Sequence, residues 1–141
     1  MRLTHETVLE GVAAALRDQI APNLTDAFAS DAARMAQSLI RIVGLAGDDA
    51  AAIRVEENAR MRALLGQGGE LLGDADLTTA AGSSDPSLRI SELDAETGRL
   101  RLLLVDLHRR IELQDTPAAR ALDQAIWRAL RDFEKARAPR A

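Results

Sequence analysis

The chain has 141 residues, with 18 basic and 22 acidic side chains for a net charge of −4; nearly half of it is apolar, yet aromatics make up only 2%. That length fits one domain with a hydrophobic core that needs neither metals nor disulfides. The absence of Cys excludes disulfides, thiolate zinc sites, iron–sulfur clusters and Cys nucleophiles, and the acidic balance argues against bulk nucleic-acid binding.

A first helix is predicted over residues 4–21. Thr4 is placed as its N-cap, Glu6 sits in the first turn, and Leu3 and Val8 have the spacing of a hydrophobic staple. Its apolar stripe is Val8 or Leu9, Val12, Leu16 and Ile20, and Pro22 ends it, since the residue before a proline is pushed out of the α region. Asn23 or Thr25 then caps a second helix over residues 24–43, and so short a link implies an antiparallel pair. In the second helix Phe28, Ala32, Met35, Leu39 and Ile42 recur at steps of four, three, four and three, with Ala36, Ile40 and Val43 widening the stripe. A helix this apolar on one side must bury that side, so it is expected to be the staff of a helical bundle.

Gly44 is predicted to end that helix, and Gly47-Asp48-Asp49 turns the chain into a third helix over residues 49–65. Ala50, Ile53, Met61 and Leu64 share a face there, and Glu57 falls inside it. A charge in that position is expected to snorkel, or to pair with Arg60 or with an arginine on a neighbouring helix. From residue 66 to 84 the periodicity dissolves. Gly66, Gly68, Gly69 and Gly73 disfavour a steady helix, and the stretch reads as a mobile loop. A fourth long helix spans residues 97–114 with Leu100, Leu104, Leu107 and Ile111 in register; whether it reaches back through Gly98 to Ser91 stays open. Thr116 and Pro117 form an N-cap and first helical position for the last helix, whose inward side is Ala119, Leu122, Ile126, Leu130 and Phe133, with Trp127 at the edge. Together these elements predict an all-α, up-and-down bundle of four to five helices with a Gly-rich loop between the third and the fourth. Residues 1–136 form the single domain and 137–141 a frayed tail.

Charge is uneven along the chain. Up to Gly98 there are eight Arg against sixteen acids, a balance of −8, and from Arg99 onward ten basic residues against six acids, a balance of +4. The halves are therefore expected to attract each other across the bundle, the default, or the basic end to face an acidic partner. No run of about eighteen apolar residues exists to span a membrane, and Glu6 and Glu10 stand where a signal h-region would be, so the protein is expected to be cytoplasmic.

Catalytic motifs are absent: there is no Walker loop, no GxSxG elbow, no HExxH, and neither histidine follows a Glu by three residues as a di-iron bundle requires. No cofactor or metal site is therefore expected. His108 can pair with Glu112 one turn on, and Glu57 with Arg60 forms the other candidate polar site. The candidate interface is Trp127 with Leu130 and Phe133, because Trp is enriched at binding hot spots.

The segments AAALRDQIAPNL, AARMAQSLIRIV and EENARMRALLG in the first half of the chain resemble a family of small helical bacterial proteins of uncharacterised activity. Members of that family tend to be encoded beside aminoglycoside-phosphotransferase-like kinases and acyl-CoA dehydrogenases. The resemblance implies an accessory role to a kinase acting on a small hydroxylated or acyl substrate. The function expected from the sequence is thus a non-catalytic interaction or accessory protein, self-associating or docking onto such an enzyme. The alternative is a small enzyme or ligand-binding bundle that uses Glu57 with a nearby Arg.

Overall fold

A computed structural model of the chain describes residues 3–139; Arg140 and Ala141, assigned from sequence to the tail, lie outside the described residues. Helices account for 83% of the described residues and no strand occurs among them, so the all-α class holds. There are six helices among the described residues: α1 (His5–Ala15), α2 (Ala27–Gly47), α3 (Ala50–Leu72), α4 (Ala75–Ala81), α5 (Ile90–Glu112) and α6 (Pro117–Arg137). None is long and apolar enough to cross a membrane. They form two compact units, one of residues 3–50 with Pro139 and one of Ala51–Ala138.

The first unit is a helical hairpin. Thr4 caps α1, its hydroxyl accepting from the Thr7 N–H at 3.2 Å, and the helix runs on through a π-helical turn, Leu16–Ile20, into a 3₁₀ turn, Ala21–Asn23, that holds Pro22. The cap of α2 is Asp26, one residue beyond the expected Thr25, and accepts from the Ala29 N–H at 2.8 Å. Gly44 does not end α2, which continues to Gly47. Gly44 lies instead against α1, where a Cβ would stand 3.5 Å from that of Leu9. The two helices meet largely through small side chains, with Leu9, Leu16 and Ile40 half-buried among them. Ala13 and Ala21 are buried, and the half-buried side of α2 is Ala29, Ala33, Ala36, Ile40 and Gly44. The larger stripe of Phe28, Met35, Leu39, Ile42 and Val43 is exposed, and no residue of α2 is fully buried. The expectation that this stripe forms the staff of the bundle is therefore corrected. Small residues let the α1 and α2 backbones approach closely, and that leaves the bulky ones pointing away.

The second unit has the core that the first lacks. Met61, Leu64 and Leu65 of α3, Leu77 of α4, Leu100, Leu104, Leu107 and Ile111 of α5, and Leu122, Ile126 and Phe133 of α6 form one buried cluster. The Gly-rich stretch is helical here, not a loop. Gly66, Gly68 and Gly69 belong to the last turns of α3, and α4 follows almost at once. A Cβ on Gly68 would overlap the Leu107 side chain, and one on Gly69 would overlap Thr78, so at these two glycines the lack of a side chain makes room for α5 and α4. The chain turns between α3 and α4 at Gly73, whose φ of +62° is left-handed backbone. Asp74 then caps α4, accepting from the Asp76 and Leu77 N–H groups at 2.9 and 3.1 Å. The fourth long helix does reach back through Gly98, starting at Ile90, and Thr116 caps α6 as expected, accepting from the Ala119 N–H at 3.1 Å.

The charge asymmetry of the sequence is met inside this second unit. Arg101 and Arg137 pair with Glu57, and Arg110 with Asp74 at 2.7 Å, basic groups of the C-terminal part against acids of the earlier part.

Candidate functional site

Glu57 is the buried charge that the sequence points to. It sits on α3 with its side chain 1% exposed, and both oxygens are occupied. Oε1 accepts from Nε of Arg101 at 2.9 Å and from its Nη2 as well, while Oε2 accepts from Nε of Arg137 at 2.6 Å. One carboxylate thus ties α3 to α5 and α6, the pairing with arginines on neighbouring helices that the sequence left open. Arg137, read from sequence as the start of a frayed tail, is instead the last residue of α6 and part of this tie. Arg60 goes elsewhere. It donates to Asp132 at 2.7 Å and lies over the Phe133 ring, 5.7 Å from its centre. A cavity of about 70 Å³ lies between Ile53, Glu57, Arg60, Asp132 and Phe133, room for about two waters and far below the several hundred Å³ of a small-molecule pocket.

A second polar layer, to which no local sequence pattern points, lies on α3 and α5. Arg62, also on α3, donates to Asp85 and Glu96 at 2.8 Å each and to Ser83 at 3.2 Å. Arg99 donates to Ser83 and Glu96, Asn58 donates to Asp85 at 2.9 Å, and the Thr97 hydroxyl donates to the Asn58 carbonyl oxygen at 2.7 Å. The layer fastens the segment around Ser83 and Asp85 to α3 and α5. Arg99 above all, with Arg62 adding to it against the opposing effect of burial, lowers the Glu96 pKa to about 2. Burial works against the Arg62 charge, and its bonds to Asp85 and Glu96 outweigh it, so that its pKa is raised. Among the described residues no buried side-chain nitrogen or oxygen lacks a partner. The layer is thus closed on itself, with each acid held in a structural ion pair.

His108 has its main partner on α6. Its Nε2 lies 2.7 Å from Asp123 Oδ1 and 3.8 Å from Glu112 Oε1, the neighbour expected from sequence, and its ring meets Trp127 edge-on with centroids 5.2 Å apart. The three side chains offer ligand atoms within 4.8 Å of one another, a set that suits a borderline divalent ion, although Nε2 and Oδ1 here satisfy each other. Asp123 had a signal in the sequence: it and His108 stand nearly equidistant from the Asp115-Thr116 turn that folds α5 back along α6.

The residues singled out as an interface are placed unevenly. Trp127 is 51% exposed, Leu130 is half-buried against the core, and Phe133 is buried at 6%. The larger apolar surface is in the hairpin, where Phe28 is 83%, Met35 67% and Leu39 55% exposed. Val8, Val12 and Ile20 of the first helical segment are exposed too. Comparison of the chain with known protein families, with curated proteins and with solved structures gives no match.

Proposed function

We propose that the chain is a non-catalytic, cytoplasmic interaction protein that works by self-association or by docking onto an enzyme such as a small-molecule kinase. The observation that carries this reading is the outward apolar stripe of α2, with Phe28, Met35, Leu39 and Val43 all more than half exposed. Exposed apolar surface of that extent on a charged helical protein marks a binding face. The rival reading, a ligand-binding bundle centred on Glu57, has less support. Both Glu57 oxygens are engaged by arginines, and the adjoining cavity of about 70 Å³ is too small for a substrate.

The test compares the wild-type chain with a variant carrying Met35→Glu and Leu39→Glu. Association is measured between differently tagged copies, and between the chain and the kinases co-expressed with it from its native host. The reading expects at least one of these associations in the wild type and its loss in the variant. An association that survives both substitutions, or none in the wild type, removes it.

A further inference from the structure

We infer that the occupant of the hairpin's outward face is a second copy of the same chain, with the two α2 helices packed antiparallel across a two-fold axis. The inference rests on the reading of this face as a binding surface and names its partner. Phe28, Ala32, Met35, Leu39, Ile42 and Ala46 are all exposed and recur at steps of four, three, four, three and four. That is an unbroken heptad seam, the 3.5-residue period that keeps one stripe facing a second helix along its length. α1 does not fill the seam, because it packs on the half-buried Ala29, Ala33, Ala36, Ile40 and Gly44 side of α2.

The sizes along the seam fit a reversed copy of itself. Antiparallel pairing about the middle of the seam sets Phe28 opposite Ala46 of the second copy, Ala32 opposite Ile42, and Met35 opposite Leu39. Every layer then combines a large side chain with a small one, or two of middle size, as close packing requires. A parallel pair would set Phe28 on Phe28 and Ala32 on Ala32, a crowded layer beside a hollow one. Along one flank of the seam run Asp31, Ser38 and Leu45. The antiparallel register sets Asp31 against Leu45 and Ser38 against Ser38, so no like charges meet there. A two-fold contact of this kind is self-complementary by construction. The seam offers such a partner Phe28 at 83%, Met35 at 67%, Leu39 at 55% and Ile42 at 37% exposure, an apolar stripe running the length of α2.

The chain has no Cys, so single introduced thiols report the register cleanly. Ser38→Cys places two thiols beside the axis and is expected to give a disulfide-linked dimer under mild oxidation. Ala46→Cys places them at opposite ends of the seam, roughly 27 Å apart at 1.5 Å per residue, and is expected to give none. Met35→Glu, at an exposed position that leaves the hairpin's own packing intact, is expected to weaken the dimer at least about 30-fold in sedimentation equilibrium while the helical circular dichroism is unchanged. A wild-type chain that is monomeric at high micromolar concentration overturns the inference, and so does efficient linking of the Ala46→Cys chain or a dimer indifferent to Met35→Glu. In the monomeric case, capture of a kinase that is lost on Met35→Glu would leave the broader reading of the face standing. Loss of neither self-association nor kinase capture would remove both.

Discussion

The two units use the same residue types in opposite ways. In Ala51–Ala138 the bulky aliphatics point inward: Met61, Leu65, Leu100, Leu107 and Ile126 are fully buried, and the charges that fall among them are tied up by arginines. In the hairpin the inward positions belong mostly to small residues, Ala13, Ala21, Ala33 and Gly44, with Leu9 and Ile40 half-buried beside them, while Phe28, Met35 and Leu39 point out. The difference shows that an amphipathic stripe states how much surface a helix must bury, not that its own chain buries it. A pair of helices brought together largely by small residues has little interior for large ones, and most of those are left on the surface.

The comparison is open to direct attack. Leu100→Ala should cost about 2–5 kcal/mol in urea denaturation, the range for emptying a packed core site. Leu39→Ala, measured where the chain is dilute enough to be monomeric, should cost no more than about 0.5 kcal/mol. Equal large losses would mean that both units have cores of the same kind. Glu57→Ala should cost about 1.5–3 kcal/mol, the contribution of hydrogen bonds to a charged group, and not more, since Arg101 and Arg137 are partly exposed and can turn to water. Gly68→Ala should cost about 1–3 kcal/mol by overpacking against Leu107. Gly98→Ala, where nothing lies within 4 Å, should stabilise by up to about 1 kcal/mol. Like signs for the two glycine changes would contradict the close approach of α3 and α5.

The smallest effect is the pH response. Glu96 has a pKa of about 2 in the folded chain against an ordinary 4.5, so its ion pairs with Arg99 and Arg62 contribute stability that is complete above pH 4.5. That contribution is lost as the pH falls from 4.5 toward 2, and Glu96→Gln should flatten the stability profile in that window. A profile identical to wild type would show that the polar layer does not hold Glu96 ionised.

Much of this fold is legible in the sequence because its signals are local. Thr4 and Thr116 cap where the pattern predicts, and the stripe of α5 reads directly as core. Glu57 stands out as a charge on an apolar face, but its partners lie 44 and 80 residues away and no local pattern names them. The Gly-rich end of α3 misleads for the opposite reason. Local propensity counts Gly68 and Gly69 as helix breakers, whereas the neighbouring Leu107 and Thr78 make the lack of a Cβ a requirement. In α2 two apolar faces compete, one of small residues and one of large. Hydrophobicity alone ranks the large face first, although the close contact with α1 selects the small one.

The most direct measurement is the labelling rate of a thiol at position 35, in a Met35→Cys chain, followed as the protein concentration is raised. A Leu107→Cys chain serves as the buried reference. The account predicts that the thiol at position 35 reacts at nearly the rate of a free thiol when dilute and becomes protected as the chain associates, while the thiol at position 107 is protected throughout. Protection at position 35 that is complete even at high dilution would show that the stripe is the chain's own core, and would contradict the account.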